Sequence, residues 1–166
     1  MSNICYVMMP YGEKVNMANV KIDFDEVYKT FIEPAIIKAG LDASKTNEAN
    51  SGELLLKNMY ARILFCQFAI ADITFNNPNV YYELGIRHAA RPHTTILIHE
   101  SSLDKIPFDL SVFSVLNYEY DLETKSIKNL QTKIDELSDL LENYIKGIGL
   151  GDDSPIAQLF AKYNFP

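Results

Sequence analysis

Residues 66–91 read CQFAIADITFNNPNVYYELGIRHAAR, and the interpretation of the whole chain starts from this stretch. The run from Phe68 to Ile73 is apolar except for Asp72, which is typical of a strand buried on both faces. A short polar loop follows, and Pro78 suits the first turn of a helix because its missing N–H is not needed there. We therefore predict a strand, a loop and a helix, with Asp72 at the carboxyl end of the strand and Glu83 in the early turns of the helix.

Strand-like and helix-like segments alternate five times along the chain. The predicted strands are Ile4 to Met9, Leu41 to Lys45, Phe68 to Ile73, Thr94 to His99 and Ser114 to Tyr118. This alternation predicts an α/β fold, in which a single doubly wound, mainly parallel five-stranded sheet has helices on both faces. The flavodoxin-like strand order 2-1-3-4-5 is the simplest such arrangement, and ligands bind where the strand order reverses.

The other predicted helices follow from apolar residues at helical spacing. The first begins near Asp23 and ends at Gly40, with a kink or a local break expected at Pro34 inside the pattern. The second runs from about residue 51 to 65. A long amphipathic helix carries the apolar positions from Ile127 to Tyr144 and closes the core.

The chain has 166 residues, of which 48% are hydrophobic and 22% are charged, as in an ordinary globular domain. We assign residues 1–147 to the α/β domain. The remaining segment, residues 148–166, keeps apolar side chains such as Phe160 and Tyr163. We expect this C-terminal tail to dock on the domain or on a partner.

Charge and cysteine content exclude several classes of protein. The net charge of -7 argues against a nucleic-acid partner and against an anionic membrane surface, since both need a basic face. Cys5 and Cys66 lie in apolar runs, which indicates buried thiols in a reducing compartment, and no signal peptide opens the chain. We therefore expect a cytoplasmic protein. His88, His93 and His99 lack ligand-like spacing, so no metal site is predicted.

The loops after strands 1 and 3 are expected to face one another across a single crevice. The first loop contributes Pro10, Tyr11 and Gly12, and a glycine there would let the backbone approach a phosphate or a ribose closely. The second carries Asn77 and Asn79. A turn or cap role is the first interpretation of these asparagines, and ligand contact is the second.

Glu83 is the candidate catalytic residue of this crevice. With Arg87 four residues later, the simpler interpretation is a salt bridge within the helix. The alternative is a carboxylate that stabilises or attacks the anomeric carbon of a sugar. Asp72 and Arg87 are candidate substrate-binding residues, although Asp72 can equally accept N–H bonds from the loop that follows it. His88 is interpreted as a packed helix residue rather than as an acid.

The run NPNVYYELGIRH, residues 77–88, resembles the signature of nucleoside 2-deoxyribosyltransferase-like proteins. That superfamily includes nucleotide N-glycosidases and is structurally akin to TIR domains. The opening VMMPYG, residues 7–12, is similar to bacterial TIR-like members, and the resemblance extends over about residues 4–100. It implies a glycosyl-transfer fold with Glu83 at the family's catalytic glutamate position.

The function that this resemblance implies is hydrolysis of the base–ribose bond of a nucleotide, above all NAD+, in antiphage or immune signalling. Nicotinamide leaves NAD+ as a neutral base and needs no proton, whereas purines and pyrimidines usually need a general acid. Glu83 would act as nucleophile or cation stabiliser, while Asn79, Asp72 and the Tyr11-Gly12 loop would position ribose and phosphate. NAD+ would be the substrate, a cyclised product is one outcome, and no cofactor is expected.

Two alternatives stay open from the sequence. One is a non-catalytic module on the same fold that senses a nucleotide or self-associates in signalling. The other is an N-glycosidase or deoxyribosyltransferase acting on a nucleoside monophosphate, although Asn77 stands where deoxyribosyltransferases often carry an aspartate. The expected partners are a small-molecule nucleotide, further copies of the chain in a homo-oligomer, and an activator protein or second messenger.

Overall fold

The computed structural model of the protein describes residues 3–45, 53–148 and 153–154. Its strands and α-helices, in chain order, are β1 (Ile4–Met8), β2 (Glu13–Val15), β3 (Lys21–Asp23), α1 (Phe24–Val27), α2 (Glu33–Lys38), β4 (Asp42–Lys45), α3 (Glu53–Phe65), β5 (Phe68–Asp72), α4 (Pro78–Ala90), β6 (Thr95–Glu100), β7 (Val115–Tyr118), β8 (Tyr120–Asp121), β9 (Ser126–Ile127) and α5 (Leu130–Ile145).

Five of these strands form one sheet in the order β4-β1-β5-β6-β7. Every neighbouring pair is parallel, with Cys5 opposite both Ala43 and Phe68 in the register of the central strand. If only these five strands are counted and numbered in chain order, their order across the sheet is 2-1-3-4-5. The structure therefore confirms the predicted doubly wound topology.

The two faces of the sheet are covered by different helices. Along β1, Cys5 and Val7 belong to the apolar cluster that includes residues of α1, α2 and α5, while Tyr6 and Met8 belong to the cluster of α3 and α4. This alternation is the period of two that a strand imposes on its side chains. Within the described ranges, no helix is long and apolar enough to cross a membrane.

A π-helical segment precedes Pro34, where a kink or a local break was expected. Residues Tyr28–Ile32 form this wider helix between α1 and α2, and Pro34 lies in the first turn of α2. Proline lacks the N–H that would bond the preceding turn, and its ring clashes with the carbonyl four residues earlier. A wider turn before the proline accommodates both effects without ending the helix.

Two antiparallel hairpins, β2–β3 and β8–β9, lie outside the main sheet and were not predicted. The strand β2 is exposed at all three positions, so it shows none of the apolar alternation by which strands are recognised. Its turn is held by the side chain of Asn16, which accepts from the backbone N–H groups of Ala18 and Val20. The hairpin β2–β3 directly follows the predicted loop of Pro10, Tyr11 and Gly12.

Asp153 and Ser154 are described in the C-terminal tail, together with Ile148 at its start. The carboxylate of Asp153 accepts from the backbone N–H groups of Thr94 and Thr95, at 2.7 and 2.6 Å. Ser154 is fully buried. These two residues thus contact the start of β6 and the α/β domain, while residues 155–166 lie outside the described part and their docking stays a prediction.

Candidate functional site

A cavity of about 450 Å³ lies at the carboxyl ends of β1 and β5, where the strand order reverses. It is lined by residues from the β1 loop, β2, α3 and the start of α4: Met9, Pro10, Tyr11, Lys14, Leu56, Met59, Asn77, Asn79, Tyr82 and Glu83. The two loops predicted to face one another therefore do so. In a doubly wound sheet this reversal is the place where ligands collect.

Glu83 lines the cavity with a carboxyl group that is largely buried. Its side chain is 8% exposed, and its Oε2 accepts a hydrogen bond from Tyr6 Oη at 3.0 Å. Tyr6 comes from the central strand, 77 residues earlier in the chain. Burial raises the pKa of Glu83 to about 7, and the bond from Tyr6 opposes this only in part. Near neutral pH the group therefore exists in both forms and can either donate or accept a proton.

The start of α4 places two more of the predicted residues on the cavity. Asn77 is the N-cap, and its side chain accepts from the backbone N–H groups of Asn79 and Val80 at 3.0 and 3.3 Å. Pro78 occupies the first turn, as its missing N–H allows. Asn77 thus has the cap role of the first interpretation, while Asn77 and Asn79 both line the cavity.

Apolar and aromatic side chains supply much of the cavity wall, and the sequence did not identify most of them. Met59 and Leu56 lie on α3, and Tyr82 lies on α4 with its hydroxyl 3.1 Å from that of Tyr60. Lys14 is the basic side chain among the described lining residues. Periodicity alone could not select them, because it does not say which loop or helix lies opposite. Position beside Glu83 was the one signal that could have pointed to Tyr82.

Gly12 lies outside the set of described residues that line the cavity, although it was a candidate for close ligand approach. It adopts a φ of +62°, and a side chain added there would meet nothing within 4 Å. Its left-handed backbone, rather than space for a ligand, therefore accounts for the glycine. Gly12 leads directly into β2, and its carbonyl accepts from the N–H of Phe24.

Asp72, another predicted substrate-binding residue, has a structural environment instead. Its carboxyl is completely buried and accepts from the backbone N–H of Thr74 at 3.1 Å and from Tyr118 Oη at 2.8 Å. Burial raises its pKa to about 6, against the opposing effect of these hydrogen bonds. Its contacts tie β5 to β7 and to the following loop, and it is not among the described lining residues of the cavity.

Arg87 is completely buried, and its guanidinium bonds the carbonyls at the end of α3 instead of lining the cavity. Nη1 donates to the carbonyls of Ile63 and Cys66, both at 2.8 Å, and Nη2 donates to Thr94 Oγ1 at 2.7 Å and to the carbonyl of Gln67 at 3.0 Å. The expected salt bridge to Glu83 is replaced by these bonds. A cation at a helix C-terminus satisfies carbonyls that the helix itself leaves without donors.

His88 is packed in the core beside this arginine. It is 4% exposed, its ring lies 6.1 Å from that of Phe113, and burial lowers its pKa. This agrees with its interpretation as a packed helix residue. The predicted residues that the structure brings together on the cavity are thus Pro10, Tyr11, Asn77, Asn79 and Glu83.

No protein-family model and no curated protein matches the chain. Among solved structures, a diflavin flavoprotein A3 from Nostoc sp. is similar, with a TM-score of 0.51 and 11% sequence identity over 89% of this chain and 98% of that chain. At this identity the similarity shows the fold alone. It agrees with the flavodoxin-like topology of the sheet.

These comparisons correct the assignment to nucleoside 2-deoxyribosyltransferase-like and TIR-like proteins. The similar solved structure is a flavoprotein, and no family model supports the resemblance, so that assignment is wrong. The local structure explains why the motif misled. Asn77 and Pro78 start a helix, and Val80 and Leu84 are core residues of that helix. A strand–loop–helix unit needs such residues for folding, whatever ligand it binds.

The functional conclusions drawn from that resemblance are corrected with it. NAD+ hydrolysis by an N-glycosidase of antiphage or immune signalling is wrong as an interpretation, because the similar fold is that of a flavoprotein. The expectation of NAD+ as a substrate with no cofactor is corrected too, because the similar solved structure is described as a flavoprotein.

Proposed function

We propose that the protein binds a small molecule with a planar heterocyclic ring in the cavity between the β1 loop and α4, and that this ligand is a flavin. The observation that carries the proposal is the buried carboxyl of Glu83 at a cavity located where the strand order reverses. A carboxyl group is costly to bury, so a pocket that keeps one without an ion-pair partner among the described residues is a candidate ligand site.

The cavity suits the ring of a flavin in size and in chemistry. Its volume of about 450 Å³ lies within the range of small-molecule sites, and Met9, Met59 and Tyr82 offer apolar and aromatic surface to a planar ring. A protonated Glu83 presents an O–H donor and a carbonyl acceptor side by side. That pair matches the adjacent N–H and C=O groups of a flavin's pyrimidine ring. The shared fold of the Nostoc diflavin flavoprotein supports the choice of ligand class.

The phosphate of a flavin mononucleotide fits less well. A helix N-terminus is the usual anion-binding group, but at the start of α4, which lines the cavity, the side chain of Asn77 already accepts from the N–H groups of Asn79 and Val80. Lys14 alone supplies positive charge among the described lining residues. The residues therefore fit the ring and provide no dedicated phosphate cradle.

A bound flavin would supply one- and two-electron redox chemistry. The lining residues of α3 and α4 would hold the ring and limit the water around it, and Glu83 would hold a proton. Tyr6 keeps the carboxyl oriented through its bond to Oε2. An enzymatic role is the second candidate, because a carboxyl with a pKa of about 7 can transfer a proton to or from a bound substrate near neutral pH.

Riboflavin and flavin mononucleotide are expected to bind the protein with dissociation constants within about tenfold of each other, because the phosphate has no cradle. Quenching of flavin fluorescence during titration with the full chain measures both constants. Lys14→Ala should remove most of any preference for the mononucleotide, with Lys128→Ala as a control at an exposed lysine paired with Glu119. Failure of both flavins to bind at micromolar concentrations would refute the proposal.

The cellular setting follows from the described cysteines and from the charge. Cys5 and Cys66 are free and buried, which supports the cytoplasm as the compartment of this protein. The net charge of -7 supports a small molecule rather than a nucleic acid or a membrane surface as the partner. Self-association, and control by an activator protein or second messenger, stay predictions.

A further inference from the structure

The loop between β5 and α4 contains two successive residues with left-handed backbone. Phe75 has a φ of 61° and Asn76 has a φ of 51°. Asparagine tolerates this conformation, but it is unfavourable for a bulky residue such as Phe75. It persists only where surrounding contacts hold it. The loop leads directly into Asn77 and hence into the wall of the cavity.

Asp104, in the loop after β6, supplies such contacts. Its Oδ2 accepts from the backbone N–H of Phe75 at 2.8 Å and from Asn76 Nδ2 at 3.3 Å. Its Oδ1 lies 2.7 Å from Nε2 of His99, a β6 residue that is 2% exposed. The carboxylate therefore joins the strained loop to a rigid strand of the sheet. Hydrogen bonds to a charged group are about twice as strong as those between neutral groups.

Two further contacts hold the same loop from other directions. Tyr81 Oη, on α4, donates to Asn76 Oδ1 at 2.6 Å. The ring of Phe75 packs edge-on against Phe24, with 5.7 Å between ring centroids. The backbone entering Asn77 is thus restrained on both sides, and Asn77 in turn orders the first N–H groups of α4.

We propose that Asp104 is a positioning residue for the cavity. It lies outside the described lining residues, yet it fixes the loop conformation that places Asn77 and Asn79 on the cavity wall. The inference about ligand affinity rests on the proposed function, whereas the inference about loop conformation does not. The two can therefore be tested separately on the same variants.

The test compares wild type, Asp104→Ala and Asp104→Asn by amide hydrogen exchange of the ligand-free protein and by titration with riboflavin. Asp104→Ala should speed exchange at Phe75, Asn79 and Val80 by about 10- to 100-fold, and weaken riboflavin binding by about tenfold. Asp104→Asn should restore both, because its amide oxygen can accept from Phe75 while its amide nitrogen faces a His99 tautomer with an unprotonated Nε2.

Asp121→Ala is the matched control. Like Asp104, Asp121 is a carboxylate that accepts backbone N–H bonds in a loop, in its case those of Glu123 and Thr124 in the turn between β8 and β9. The Asp121→Ala substitution should leave both the amide exchange at Asn79 and the riboflavin affinity unchanged. A melting temperature for each variant separates local loosening from general destabilisation, and exchange within α5 should stay slow in all of them.

Each outcome decides one of the two proposals. Unchanged exchange at Phe75 and Asn79 in Asp104→Ala overturns the positioning role, whatever the flavin result. Faster exchange with an unaltered riboflavin affinity overturns the link to the cavity. If wild type binds no riboflavin, the proposed function fails, and exchange at Asn79 and Val80 alone then decides whether Asp104 positions the wall.

Discussion

Arg87→Met is expected to lower the free energy of unfolding by about 3–5 kcal/mol, the size expected when one partner is removed from a buried charged network. The substitution keeps most of the volume but leaves four acceptors without their donor: the carbonyls of Ile63, Cys66 and Gln67, and Thr94 Oγ1. Buried acceptors that lose their donors each cost about 1–3 kcal/mol, and these losses overlap. Chemical denaturation of the two proteins at the same pH measures the difference.

Arg62→Met is the matched control for this prediction. Arg62 lies in the last turn of the same helix, α3, but is only partly buried. The same chemical change there should cost less than about 1 kcal/mol, as is usual for surface positions. Equal losses at the two sites would contradict the view that Arg87 satisfies the carbonyls at the end of α3. Arg87→Lys should fall between them, since a single ammonium group cannot reach all four acceptors.

Glu83→Gln is expected to stabilise the protein at pH 8 and to change its stability little at pH 4. Burial raises the pKa of Glu83 from 4.5 to about 7, so the folded state holds this proton more tightly than the unfolded state. The stability that the protonated carboxyl contributes is fully present below about pH 4.5 and is lost as the pH rises through about 7. Glutamine remains neutral throughout and can still accept the bond from Tyr6.

The rise in the pKa of Glu83 from 4.5 to about 7 corresponds to a change in the free energy of unfolding of at most about 3 kcal/mol. At pH 8 the melting temperature of Glu83→Gln should therefore exceed that of wild type by roughly 5 °C or more. Burial likewise raises the pKa of Asp72 from 3.8 to about 6, so Asp72 also makes stability depend on pH. Because Asp72 is present in both proteins, its effect cancels in the comparison. Thermal unfolding from pH 4 to pH 8 measures the difference.

Glu119→Gln controls for the loss of one negative charge, because Glu119 is exposed and pairs with Lys128. It should show no comparable gain between pH 4 and pH 8. If Glu83→Gln gave no gain at pH 8 either, the carboxyl would not be desolvated as the structure shows. A gain accompanied by weaker riboflavin binding would have the signature of a functional site, where stability is lost for the sake of binding.

The resemblance that misled the functional interpretation has a physical lesson. Asn77, Pro78, Val80 and Leu84 form a pattern that any helix following a buried strand can use, as cap, first-turn residue and core contacts. Such a pattern predicts local structure well. The identity of the ligand also depends on side chains that other parts of the chain place in the cavity, and a local motif does not contain them.

The strands of the parallel sheet were predictable because continuous apolar runs and their spacing are properties of neighbouring residues, and their order is the simplest one for a doubly wound sheet. The same holds for the helix that begins at Pro78 with Asn77 as its cap, since the hydrogen bonds involved reach only two or three residues along the chain. The exposed hairpin β2–β3 escaped prediction, because its strands bury no apolar face.

The environment of each polar side chain, in contrast, depended on residues far away in the chain. Glu83 and Arg87 lie one turn apart on the same helix, yet Glu83 meets Tyr6 beside a cavity while Arg87 meets the end of α3 in the core. Tyr6 and Glu83 are 77 residues apart, and no local pattern records that they meet. Local sequence patterns therefore predicted the strands and helices of the sheet. The tertiary structure alone brought together the residues that determine the hydrogen bonds of the Glu83 carboxyl and the Arg87 guanidinium.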